Sequence, residues 1–135
     1  IIATNIRSSR MLLAYGFLRK VFEVFEKYQT PIDMITTSEV AVSVTIDDAT
    51  ALPNITKELK ALGVVTVDAD QAIVSIVGNQ IAADGTALKK VFDSLSNVDV
   101  RMVSYGGSAH NITILVPAAS KNTVLQQLNS GLFGL

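Results

Sequence analysis

The most constraining feature of the chain is that its hydrophobic pattern runs through one sequence of elements and then starts again. Ile1 to Ile6 is a short β-prone run closed by the polar stretch Arg7 to Arg10. Past Gly16 the period becomes helical, with Phe17, Leu18, Val21, Phe22, Val24, Phe25 and Tyr28 on one side and Arg19, Lys20, Glu23, Glu26 and Lys27 on the other. Pro31 ends that helix and opens a strand over Ile32 to Ile35, followed by a polar turn, Thr36-Thr37-Ser38. Val40, Val42, Val44 and Ile46 then alternate with Glu39, Ala41, Ser43 and Thr45, the mark of a strand with one face on a core and one face open. Asp47-Asp48 closes it. Pro53 starts a second helix with Ile55, Leu59 and Leu62 inward and Gly63 as its C-terminal cap, and Val64 to Val67 is a fourth strand. The order β-α-β-β-α-β is the ferredoxin-like pattern.

The restart follows at once. Ala72 to Val77 is a strand, Gly78-Asn79 a stop, and Asp84-Gly85 leads a helix with Leu88, Val91, Phe92 and Leu95 inside. Val98 to Val103 is a strand, Ser104 to His110 a loop and Asn111 to Val116 a strand ended by Pro117. A last helix begins about Ser120 and carries Val124, Leu125, Leu128 and Leu132 inward. Leu18-Arg19-Lys20-Val21-Phe22 parallels Leu88-Lys89-Lys90-Val91-Phe92, and Ile32-Asp33-Met34-Ile35-Thr36 parallels Val100-Arg101-Met102-Val103-Ser104, a duplication at a shift of about 70 residues. The expected fold is α+β: two βαββαβ units, antiparallel sheets with helices on one face, over residues 1–70 and 71–135. The second unit lacks its last strand in chain order, so its sheet is expected to be completed by an upstream or partner strand.

Composition removes several functions. The 135 residues carry a formal net charge of -1 and no Trp, so there is neither the basic excess nor the aromatic platform of a nucleic-acid binder. No cysteine is present, which removes disulfides, thiolate nucleophiles and Cys-ligated metals. No apolar run approaches the ~18–20 residues of a membrane span. The first residue is Ile1 rather than Met, which fits a piece of a longer polypeptide or a trimmed chain. No Walker loop, dinucleotide fingerprint or HExxH motif occurs, and the single histidine, His110, has no suggestively spaced partner. The expectation is no catalytic residue, no metal site and no cofactor. His110 reads as a structural or surface residue and Asp47-Asp48 as a solvated turn.

What remains points to a small ligand. Gly16 precedes a helix N-terminus, where the N–H groups of Gly16, Phe17 and Leu18 suit a carboxylate, although a glycine there also simply permits a tight turn. Asp33 is a carboxylate within an otherwise apolar strand start and Glu39 begins the next strand; they suit an ammonium, or are merely exposed strand-end acids. Thr37, Ser38 and Thr45 add hydroxyls. An anion site and a cation site on neighbouring elements suggest a zwitterion with a second positive charge, such as lysine.

The segments Met11-Leu12-Leu13-Ala14-Tyr15-Gly16-Phe17-Leu18 and Ile32-Asp33-Met34-Ile35-Thr36-Thr37-Ser38-Glu39-Val40 resemble the first ACT domain of lysine-sensitive aspartokinases. Met102 to Asn111 is similar to the matching loop of their second ACT domain, and Gly131-Leu132-Phe133 to their C-terminus. The resemblance covers essentially the whole chain. It implies a regulatory region without catalysis of its own, whose kinase domain lies upstream and there uses ATP and Mg. It implies a cytoplasmic homodimer paired through first ACT domains, with L-lysine bound at that interface and no nucleic-acid or membrane partner. It implies that the second ACT domain borrows a strand from just before the first. By position it marks Met11, Gly16, Phe17, Leu18, Ile32, Asp33, Thr37, Ser38, Glu39 and Thr45 as effector-binding. Helix-end N–H groups would take the α-carboxylate, backbone near Met11 and Ile32 the α-amine, and Asp33 with Glu39 the ε-ammonium. Leu13 and Ala14 depart from relatives that carry a His and a Ser there. The alternatives are a ligand-free dimerisation module and a sensor of another amino acid such as threonine.

Overall fold

The computed structural model describes residues 1–8, 15–38 and 40–134. They fall into two units, Ile1–Ala69 and Asp70–Leu135. The first holds β1 (Ile2–Arg7), α1 (Phe17–Lys27), β2 (Ile35–Thr37), β3 (Ala41–Ile46), α2 (Leu52–Lys60) and β4 (Val64–Asp68). The second holds β5 (Gln71–Val77), α3 (Thr86–Ser94), β6 (Met102–Ser104), β7 (Asn111–Pro117), a 3-10 turn at Ala118–Ser120 and α4 (Lys121–Phe133). None of these helices is long and apolar enough to cross a membrane.

The first sheet runs β2-β3-β1-β4, antiparallel throughout, with Ile2, Thr4 and Ile6 of β1 opposite Ile46, Val44 and Val42 of β3. That register puts the apolar set on one face, because side chains alternate along a strand. Phe17, Val21, Val24 and Phe25, spaced to share one side of α1, close over it together with Ile55 and Leu59 of α2. The second sheet runs β5-β7-β6, and Val74, Ile76, Ile112, Ile114 and Val116 meet Val91, Leu95, Val124 and Leu128. A counterpart of β4 does not follow α4 among the described residues, and β5 lies at a sheet edge.

Five local expectations need correction. The strand placed at Ile32 to Ile35 is β2 at Ile35–Thr37, so Thr36 and Thr37 pair within the sheet and are not a turn. The second-unit strand begins at Met102, not Val98, because the N–H of Val98 is still bonded to the carbonyl of Leu95 in the turn leaving α3. The face of β3 away from the helices is not open: Ser43 and Thr45 are buried, each with its hydroxyl in a hydrogen bond. Phe92 and Leu125 are exposed, because Val91 and Val124 beside them take the inward direction of α3 and α4. Gly63 is not a left-handed cap of α2, which ends at Ala61 in the ordinary right-handed region, although the Gly63 N–H donates to the Leu59 carbonyl at 3.2 Å. Its role is proximity: a Cβ on residue 63 would stand 2.3 Å from the Arg7 carbonyl oxygen, so only glycine lets β4 leave the helix so close to β1.

Candidate effector site

The mouth of α1 is set by Gly16, which adopts a left-handed conformation at φ 80 and serves as N-cap. Gly16 has no side chain with which to cap this helix, and the first turn contains no acid. The leading N–H groups and the positive end of the helix dipole suit an anion. Phe17 turns into the core, whereas Leu18 is partly exposed. The same end of the sheet carries the β2–β3 turn. Thr37 and Ser38 are exposed there; the Ser38 N–H donates to the Ala41 carbonyl at 2.9 Å and the Ser8 N–H to the Val40 carbonyl at 3.0 Å. A cleft of about 580 Å³ opens beside it, lined by Arg7, Ser8, Val40, Lys60 and Gly63 among others, so two cations flank this end. Met11 and Glu39 lie outside the described residues.

The other end of β2 is built differently. Asp33 and Met34 together stand opposite the single residue Thr45. The Asp33 N–H donates to the Thr45 carbonyl at 2.9 Å, the Thr45 N–H to the Met34 carbonyl at 2.9 Å, and the Met34 N–H to the Thr45 hydroxyl at 2.8 Å. Two residues against one is a β-bulge, which bends a strand and re-aims its side chains. Asp33 is exposed, Ile32 packs partly against the core, and Thr45 is wholly buried. A cleft of about 380 Å³ is lined by Pro31, Asp33, Asp47 and Asp48. Asp48 is engaged already: it accepts from the N–H of Thr50 at 2.9 Å and from its hydroxyl at 2.6 Å, and these bonds hold its carboxyl below the usual carboxylate range. Among the described residues no acid or histidine group is arranged to hold a metal ion.

The chain thus brings Gly16, Phe17, Leu18, Thr37 and Ser38 to one end of the sheet, and Ile32, Asp33 and Thr45 to the other. From Asp33 to Ser38 the chain is nearly extended, a span of roughly 16 Å at ~3.3 Å per residue. Within one copy the helix mouth and the Asp33 carboxylate do not share a pocket. Sequence spacing carried no sign of this, because the distance follows from β-pairing register.

The second unit repeats the scaffold with different chemistry. Its α3 also opens on a left-handed glycine, Gly85 at φ 78. Its two loops are clasped to each other: the Gln80 N–H donates to His110 Nδ1 at 3.1 Å, the Ala82 N–H to the Ala109 carbonyl at 2.9 Å, and the Tyr105 hydroxyl to the Ala82 carbonyl at 3.2 Å. His110 is thereby a loop contact. Arg101 stands where the first unit has Asp33, and its N–H donates to Leu115, the counterpart of Thr45, at 2.7 Å.

Each of the two α+β units has a helix opened by a left-handed glycine, and residues 74–132 match the family model of the ACT domain. A solved chain from Porphyromonas gingivalis W83, described as a C-terminal regulatory domain of aspartate kinase, is 45% identical and superposes with a TM-score of 0.87 over 98% of this chain and 91% of that one. The lysine-sensitive aspartokinase 3 of Escherichia coli K12 is 36% identical over 96% of this chain and 30% of its own length. The structure of E. coli aspartokinase III in complex with lysine and aspartate, in its T state, is 36% identical with a TM-score of 0.85 over 98% of this chain and 31% of that one. The chain belongs to the family of C-terminal regulatory ACT-domain regions of aspartate kinases. It spans under a third of the length of the E. coli enzyme.

Proposed function

We propose that this chain is the lysine-sensing region of a cytoplasmic aspartate kinase, and that the sensor is completed by a second copy. The observation that carries this reading is the division of the candidate residues between the two ends of β2, an edge strand. A twofold axis beside such an edge sets two strands antiparallel, so the Ser38 end of one copy meets the Asp33 end of the other. Each of the two resulting pockets then has helix-mouth N–H groups from one copy, for the α-carboxylate, and Asp33 from the other, for the ε-ammonium. Glu39 adds a second carboxylate, backbone near Met11 and Ile32 receives the α-amine, and Thr37 and Ser38 line the pocket. The name and the lysine-bound form of the E. coli relatives support this choice of effector.

Lysine bound there favours an inhibited state of an upstream kinase domain, which phosphorylates aspartate with ATP and Mg. It does so only by binding that state more tightly, a coupling of typically ~1–3 kcal/mol. The test is titration calorimetry of this chain with lysine and threonine, run beside sedimentation to give the oligomeric state. Lysine-selective heat from a dimer is the expected result. Heat with threonine alone, or lysine binding to a monomer at full affinity, defeats the reading.

A further inference from the structure

His110 stands just before the pair that ends the β5–β7 ladder, Val77 with Asn111, and reaches back toward the segment that leaves β5. Its carbonyl accepts the Gly78 N–H at 2.9 Å, and its Nδ1 accepts the Gln80 N–H at 3.1 Å. The Ala82 N–H follows, onto the Ala109 carbonyl at 2.9 Å. The segment between β5 and α3 is thus sewn to the segment between β6 and β7. We propose that His110 is a proton-controlled clasp: its neutral imidazole holds the turn after β5 against the loop before β7, and protonation of the ring releases that turn.

The ring nitrogen acts as an acceptor, which only a neutral imidazole provides, because an imidazolium carries N–H at both nitrogens. Histidine is the side chain that changes charge between about pH 5 and 8. His110 and Gln80 are both exposed, so solvent protons reach the bond. Gln80 is held at φ 58, third in a four-residue turn closed by the Ile81 N–H on the Gly78 carbonyl at 3.3 Å. A positive φ there normally calls for glycine or asparagine, so the bond restrains a conformation that glutamine does not favour by itself. The ionisable groups of the surrounding elements are engaged elsewhere or exposed. β5, β6 and β7 carry none. On the two loops, Asp84 accepts from the Thr86 N–H at 3.0 Å, and the Tyr105 hydroxyl donates to the Ala82 carbonyl at 3.2 Å. Lys89, Lys90 and Asp93 of α3 are exposed, and no ion pair reaches His110 among the described residues.

The experiment follows the chain by NMR from about pH 8 to about pH 5, the range over which an imidazole titrates. Ring nitrogen shifts report the state of His110. Water exchange of the Gln80 amide, taken as a protection factor relative to Ile114 of β7, reports the clasp. The neutral ring should carry its proton on Nε2. Gln80 protection should fall about three- to tenfold, the size of one neutral hydrogen bond, with the same midpoint as the ring titration. His110→Phe should hold Gln80 at the low value at every pH, with the protection of Ile114 showing that the sheet is intact. Asp84→Asn should leave the pH response in place. A neutral ring protonated on Nδ1 overturns the proposal, as does Gln80 protection that ignores the ring titration. So does a pH response that survives His110→Phe or vanishes in Asp84→Asn. None of these readings depends on whether the chain binds lysine.

Discussion

The Tyr28 hydroxyl donates to Glu58 Oε2, and Lys27 Nζ reaches the other oxygen of the same carboxylate at 3.1 Å, so the end of α1 is clipped to α2. Lys27 also stands 5.4 Å from the centre of the Tyr28 ring. The Tyr28 bond and then the Lys27 bond lower the Glu58 carboxyl below its ordinary range, while the bond to Glu58 raises both Lys27 and Tyr28. A depressed carboxylate contributes stability above its unfolded value and loses it as pH falls through the folded one. The raised Lys27 and Tyr28 contribute below their unfolded values and lose it as pH rises through the folded ones. Glu58→Gln should therefore flatten both the acid and the alkaline limbs of a melting-temperature profile and shift the Tyr28 titration downward, read by ultraviolet absorbance. An unchanged tyrosine titration would mean that the clip is not formed in solution.

The contact between Gly63 and Arg7 gives a sharper prediction. A Cβ at residue 63 would lie 2.3 Å from the Arg7 carbonyl oxygen and 3.0 Å from its carbon, backbone atoms that cannot swing away. Gly63→Ala must push the start of β4 off β1, at a cost of about 2 kcal/mol or more in the range of overpacked sites. Gly107→Ala, which meets nothing within 4 Å, is the control. Urea denaturation should show a lowered midpoint for the first variant only.

These contacts mark where the sequence stops being readable. The element order and the duplication followed from periodicity, since Val42, Val44 and Ile46 alternate and Phe17, Val21, Val24 and Phe25 recur at helical spacing. Gly63 read as a cap because a glycine after Leu62 satisfies the local rule; the carbonyl that requires it belongs to a distant strand. The strand drawn at Ile32 to Ile35 was opened by Pro31, but a bulge inserts one residue and moves the ladder along. The residue types of the site were visible in Gly16 and Asp33. Their placement at opposite ends of β2 was not, and neither was the burial of Thr45, because both are products of pairing.

Gly16 should respond to substitution through torsion alone. It holds φ 80, and nothing lies within 4 Å of where a Cβ would be. Gly16→Ala should cost about 1–2 kcal/mol, the penalty of an L-residue in the left-handed region. Gly16→Asn should cost less, because asparagine tolerates that region better. Thermal melts of the two variants check the order; equal stability of Ala and Gly would mean that α1 starts elsewhere in solution.

Asp33 should separate binding from folding. Its carboxylate is exposed, and its backbone N–H is used by the sheet, in the bond to Thr45. Asp33→Asn should leave the ligand-free melting temperature unchanged, yet weaken lysine by about 10- to 100-fold, the range for losing a hydrogen bond to a charged group. The loss should be specific to the side-chain ammonium. Norleucine, which has the same chain without that charge, should bind the native protein weakly and be indifferent to Asp33→Asn. Calorimetry with the two ligands on the two proteins forms a double cycle whose coupling term is the Asp33–ammonium contact. A coupling near zero would place the ammonium away from Asp33 and require another acid to read it.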